Sequence, residues 1–242
     1  MPAAQGEPLP MSISSPEFWL AFLQLVWINV LLSGDNAVVI AMACRSLPER
    51  TRKWGIVLGS GVAVGLRILF TGIVATLLAL PWLKVVGAVA LFYIAIDLAL
   101  PDDEGAESVK ASESLWRAVG TVALADIVMS LDNVVAVAAI ANGNFLLLVL
   151  GLAISIPLIV AGSSLVMAML DRFPILVWAG AALLGWIAGE MLLSDAAVMD
   201  RLGGHEVTEH WSLLAAAAGA VFVVATAWIW GRVRSARADT TA

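Results

Sequence analysis

The 242-residue sequence is poor in charge. Asp, Glu, Lys and Arg make up 13% of it and hydrophobic residues 61%, against roughly 25% and 45–50% in soluble domains. That imbalance excludes a soluble globular protein and points to an all-α, polytopic membrane protein. Cysteine is nearly absent. Cys44 stands alone, which excludes an internal disulfide and the dithiol pair of membrane redox carriers, so inert packing is its expected role. The opening "MPAAQGEPLPMSISSPEF" contains no Lys or Arg and so lacks the positive region of a cleaved signal. The first apolar segment is expected to stay as an anchor. Residues 211–231 contain no lysine, which excludes a retinal Schiff base in a last span. No nucleophile-and-base set is present, so an enzyme is not expected. The net charge of −6 comes largely from acids in two loops and does not argue for nucleic acid.

Apolar runs are abundant. A bilayer core needs about 20 apolar residues per helix, and seven runs qualify, at approximately 18–43, 55–80, 82–100, 115–141, 145–170, 174–193 and 211–231. The joints "ALPWLK", "ANGN" and "DRFP" suit tight helix hairpins. Lys and Arg favour the cytoplasmic side. With the N-terminus outside, Arg45, Arg50, Arg52, Lys53, Lys110, Arg117, Arg172, Arg232, Arg234 and Arg237 are cytoplasmic, and only Lys84 and Arg201 are outside. Arg67 falls within the second span.

The stretch "INVLLSGDNAVVIAMA" recurs 97 residues later as "ADIVMSLDNVVAVAAI". Asp132 and Asn133 take the places of Asp35 and Asn36, Ser130 that of Ser33, and Asp126 that of Asn29. The third runs also match, each with a leading proline and a terminal acid, Asp97 or Glu190. Three runs repeat and a seventh closes the chain. Because three is odd, the second copy enters from the opposite face, an inverted repeat of the kind that places a transporter's site at midplane. The expected division is an extracytoplasmic tail (1–16), repeat 1 (17–100), an acidic cytoplasmic linker (101–114), repeat 2 (115–193), an extracytoplasmic loop (194–210), the seventh span (211–231) and a cytoplasmic tail (232–242).

At about 100° per residue, Asp126, Ser130 and Asn133 share one helical stripe, as do Asn29, Ser33 and Asn36. Asp35 and Asp132 lie off those stripes, but Gly34 could open the first helix and turn Asp35 inward; Leu131 stands there in the second copy. The set is all oxygen, without histidine or thiol. Such ligands suit Mn²⁺, Mg²⁺ or Ca²⁺, and clustered acids suggest exchange of cation for proton. An interhelical hydrogen-bond clamp is the bland alternative, although intramembrane acids usually mark ion paths. Arg67 is expected to pair with an acid such as Asp97 or Glu190, and those two acids, near span ends, could instead reach interfacial water. His205 and His210, with Asp195, Asp200, Glu206 and Glu209, read as a solvated outer loop, with extracellular metal capture as the alternative. Trp19, Trp54, Trp82 and Trp211 read as interfacial belts.

Together "LSGDN", "MSLDN", the three-plus-three-plus-one arrangement and "GAALLGWIAGEM" resemble the TerC (tellurium-resistance protein C) family over roughly residues 17–231, its short form in particular. The resemblance implies an inner-membrane metal-ion exporter of the lysine-exporter-related superfamily, with Mn²⁺ efflux as the activity and no cofactor beyond the transported ion. It places the family's intramembrane acids on Asp35, Asp126 and Asp132. Several members carry an acid where this chain has Asn29, which leaves one negative charge fewer. Asp35 and Asp132 would bind the ion, with Asn36, Asn133 and Asp126 completing the shell. A cationic amino acid such as lysine is the runner-up cargo. A membrane scaffold would need no midplane acids, and a tellurite anion would favour Arg or Lys at the site.

Overall fold

The computed structural model describes residues 13–78, 80–100, 111–202 and 204–241. Within them the chain is helical throughout: α1 (Pro16–Leu31), α2 (Gly34–Cys44), α3 (Glu49–Leu78), α4 (Leu83–Ala99), α5 (Ala111–Ala141), α6 (Phe145–Arg172), α7 (Ile175–Leu193), α8 (Ala196–Leu202) and α9 (His205–Thr241). No strand occurs among the described residues.

Local chemistry sets the starts. Ser15 accepts the Phe18 N–H at 3.3 Å, and Pro16, with no N–H to satisfy, takes the first helical position. Between α5 and α6, Asn142 and Gly143 adopt φ of 43° and 76°, the left-handed turn expected of "ANGN". Asn144 then caps α6 by accepting the Leu147 N–H at 3.0 Å.

Every apolar run is helical. Five helices, α3, α5, α6, α7 and α9, are long and apolar enough to cross a bilayer, and α1 with α2 makes a sixth if the bent pair is one span. Among the described residues that gives five to six candidate spans against the seven expected. The shortfall is α4, whose 17 residues reach about 25 Å at 1.5 Å per residue, against a core of about 30 Å.

Polar ends depart further from expectation. α5 begins at Ala111, within the expected linker; α8 forms inside the expected loop; α9 runs on to Thr241 through the expected tail. Hydropathy marks where apolar character stops, whereas helical bonding continues through Glu, Arg and Ala, which are strong helix formers.

Asp195 also departs from the solvated loop expected of it. It is 2% exposed, and its carboxylate accepts the N–H groups of Trp82 (3.2 Å), Lys84 (3.1 Å) and Ala197 (2.9 Å). One side chain therefore joins the start of α4, where Trp82 has φ of 69°, to the start of α8. Charge-assisted bonds of this kind are the strong ones. Asp195→Ala would strand three N–H groups, and a loss of about 1–3 kcal/mol is expected. Thermal unfolding in detergent should show a clear fall in Tm; an unchanged Tm would mean these bonds contribute nothing net.

Helix pairing follows the repeat. α3 packs on α5, and the α1–α2 pair packs on α6; α4 touches α5, and α7 touches α2; α3 meets α6, and α4 meets α7. Exchanging the first three runs for the second three maps this set of contacts onto itself. α9 lies outside the exchange and packs on α7 and α4. Its contact with α7 is backbone to backbone: a Cβ at Gly185 would sit 2.6 Å from the Gly219 carbonyl oxygen, and one at Gly189 2.2 Å from that of Ala215. Small residues allow such approach between helices in lipid.

At one end Arg45 donates to the Leu100 carbonyl (2.9 Å), which closes α4, and Arg52 donates to the Arg45 carbonyl (2.9 Å) and pairs with Asp171 (3.1 Å). The ends of α2, α4 and α6 and the start of α3 meet there. Cys44 is fully buried and, as expected, packs beside Gly55. Trp19, Trp54, Trp82 and Trp211, near helix ends, are 38–62% exposed, as interfacial anchors require.

Candidate functional site

The first copy of the repeated motif breaks where α1 ends. Leu32 donates to the Ile28 carbonyl and Ser33 to that of Val30, after which α2 leaves at 49°. The break precedes Gly34, which opens α2 with an ordinary φ, and a Cβ added there would meet nothing within 4 Å. Gly34 therefore borders open space and is not forced by the turn. Breaking a helix in lipid frees carbonyls that need partners. Asn133 of α5 donates its side-chain N–H to the Leu32 carbonyl at 3.4 Å. The second copy, with Leu131 in place of Gly34, stays within unbroken α5.

Beside the break lies a cavity of about 220 Å³, lined by Asp35, Val128, Met129, Asn133, Ile187, Glu190, Met191 and Ser194. Asp35 and Asn133 come from the two copies of the motif, and Glu190 is the terminal acid of the second third run. The Asp35 Oδ1 accepts the Asn36 backbone N–H at 2.8 Å, and Asp35 remains partly exposed. Glu190, three residues before the end of α7, is exposed.

A second polar centre adjoins it, and it is closed. Arg67 of α3 is 1% exposed. Its Nη2 donates to Asp126 Oδ1 (2.8 Å), Nη1 to Asn29 Oδ1 (2.7 Å) and Ser33 Oγ (3.3 Å), and Nε to Ser130 Oγ (3.2 Å). Ser130 donates in turn to Asp126 Oδ2 (3.2 Å), and Asn29 donates to Ser155, which donates to the Leu152 carbonyl. The four acceptors are two repeat-equivalent pairs, Asn29 with Asp126 and Ser33 with Ser130, so one guanidinium bridges matching positions of both copies.

Several expectations change accordingly. The buried pair of Arg67 forms with Asp126 (3% exposed), not with Asp97 or Glu190. Asp126, expected in the metal shell, has both oxygens engaged by protein donors. Helix rotation explains this: the stripe that carries Asp126 and Ser130 faces α3, while Asn133 at its far end reaches the cavity. Asn29, Ser33 and Ser130 serve Arg67. Asn36 is buried, and its side-chain nitrogen has no hydrogen-bond partner. Asp97, half buried near the end of α4, lines neither centre, so it parts company with its counterpart Glu190. Asp132 lies on α5, and its side chain is outside the described residues. Among the described residues no three His, Cys, Asp or Glu side chains cluster to cage a metal. The cavity offers two described carboxylates, an amide and a hydroxyl.

Sequence reading missed Ser155, Met129, Met191 and Ser194. Ser155 has no polar counterpart, since Leu58 stands 97 residues earlier. The methionines look like ordinary core residues, and each is about 5% exposed. Only Ser194, one turn after Glu190, carried a helical-spacing signal.

A membrane protein YjbE of Bacillus subtilis (strain 168) is 41% identical over 193 residues, which cover 80% of this chain and 88% of that protein. The membrane proteins YceF (29% over 188 residues; 74% and 73% covered) and YkoY (26% over 203 residues; 76% and 63% covered), from the same organism, are more distant. No solved structure matches. The profile of the integral membrane protein TerC family matches residues 14–238, so with its two DN motifs, apolar helices and broken first run, the chain belongs to the TerC family of integral membrane proteins.

Proposed function

We propose that this protein is a plasma-membrane exporter of divalent cations, with Mn²⁺ as cargo. It works as seven spans, two inverted triplets and a closing helix, that alternate access around the cavity between α2, α5 and α7. The observation that carries this reading is the cavity itself, where Asp35 and Asn133, from opposite copies of one motif, face a common space with Glu190. Its volume holds about seven waters at roughly 30 Å³ each, room for an ion that keeps part of its hydration shell. Oxygen ligands suit Mn²⁺, and clustered carboxylates in a membrane are otherwise costly. Asp132, adjacent to Asn133 in sequence, belongs to the same ligand group in this reading.

The exchange-symmetric helix contacts support inverted repeats. The meeting of Arg45 and Arg52 at one end supports placing that end in the cytoplasm and the N-terminus outside. A zwitterionic amino acid would also need a cation free to hold its carboxylate. Among the described residues no Lys or Arg lines the cavity, which favours a bare cation over lysine.

The test measures manganese in cells that lack their own exporters, challenged with Mn²⁺ and expressing this protein. Lower Mn than in empty-vector cells is expected. Unchanged Mn would overturn the assignment, and lysine efflux in its place would establish the amino-acid reading.

A further inference from the structure

Arg67 has no counterpart in the other repeat. α6, which corresponds to α3, carries no base before Arg172. A single fixed cation therefore sits between repeat-equivalent Asn29 and Asp126 and repeat-equivalent Ser33 and Ser130. Around it, one carboxylate, one amide carbonyl and two hydroxyls all act as acceptors, and the group is 1% exposed. Chemically this is a cation site, already filled by a side chain of the protein.

Resting on the transport reading above, we infer that Arg67 is a tethered substitute cation. Its guanidinium satisfies Asp126 whenever the carrier is empty and yields it as the divalent cation arrives from the adjoining Asp35 cavity. A buried carboxylate left without a partner is costly. An empty carrier with a bare Asp126 would be held from reorienting until it captured another cation. With Arg67 present the empty protein returns unaided, so net efflux needs no countertransported ion at Asp126. Clustered acids alone suggested proton exchange, whereas at Asp126 the arginine takes the proton's place. Arg67 thus acts through Asp126 as a positioning residue and does not itself bind cargo.

The test uses purified full-length protein in liposomes loaded with Mn²⁺. Efflux is measured into Mn²⁺-free medium (net) and into medium with equal Mn²⁺ (exchange). Wild type should give comparable rates. Arg67→Gln should lower net efflux at least tenfold while exchange stays within threefold, and Arg67→Lys, which keeps the charge, should restore most net efflux. Folded recovery of each variant is checked by gel filtration. Equal loss of both modes in folded Arg67→Gln would make Arg67 a purely structural clamp and overturn the inference, as would unchanged net efflux. If Arg67→Gln does not fold, Arg67→Lys decides through its dependence on pH: net flux unchanged from wild type supports the tether, and a new requirement for an opposing proton gradient overturns it. Absence of Mn²⁺ flux in wild type would instead overturn the transport reading on which the inference rests.

Discussion

Asp35→Asn is expected to abolish manganese export while leaving the protein folded and in the membrane. The substitution keeps size and shape, and the hydrogen bond that Asp35 Oδ1 accepts from the Asn36 backbone N–H is open equally to an amide oxygen. What changes is charge at a cavity whose described anionic groups are Asp35 and Glu190. Losing a carboxylate from a divalent site removes a charge-assisted contact of the strongest class; each 1.4 kcal/mol lost is tenfold in binding. Efflux should fall at least tenfold for Asp35→Asn and to background for Asp35→Asn with Asp132→Asn. Glu190→Gln, nearer the cavity's exposed rim, should cost less. Cellular manganese, normalised to membrane abundance, is the readout. If the double variant exports as well as wild type, these acids are structural and the ion passes elsewhere.

Gly189→Leu is expected to remove the protein from the membrane altogether. Even a Cβ at this position would lie 2.2 Å from the Ala215 carbonyl oxygen and 3.0 Å from the Ala216 Cα. The obstacle is backbone, which no rotamer change relieves, so α7 and α9 would have to separate. Overpacking typically costs 1–3 kcal/mol, and against backbone the cost should reach about 3 kcal/mol or more. Because α7 also carries Glu190, Met191 and the cavity wall, the site would be displaced with it. Gly120→Ala is the matched control: a Cβ there meets nothing within 4 Å, and replacing glycine by alanine in helical α5 should stabilise by up to about 1 kcal/mol. Protein yield and Tm in detergent check both. Wild-type behaviour of Gly189→Leu would mean that α9 does not dock backbone to backbone on α7.

Much was legible in the order of residues. The shortage of charge and the long apolar runs determined a membrane-embedded, helical chain, because hydropathy and 3.6-residue periodicity are local properties. The repeated "GDN" and "LDN" tripeptides identified the polar residues at stake, and helical spacing correctly grouped Asn29 with Ser33 and Asp126 with Ser130. The same comparison marked Gly34 as a place where the first copy could open, with Leu131 in the second; the turn fell at Leu32 and Ser33 and not at Gly34 itself.

Tertiary structure alone decided which acid received Arg67, that Asp195 would be a buried cap and not a loop residue, and that Glu190 but not Asp97 would face Asp35. Each depends on how neighbouring helices are rotated and staggered. A turn of 100° about one axis, which a single residue's shift produces, exchanges a cavity wall for a lipid face, and nothing in a helix's own sequence sets that angle. It is set by close approach at sites such as Gly189 and by the many small contacts between helices distant in the chain.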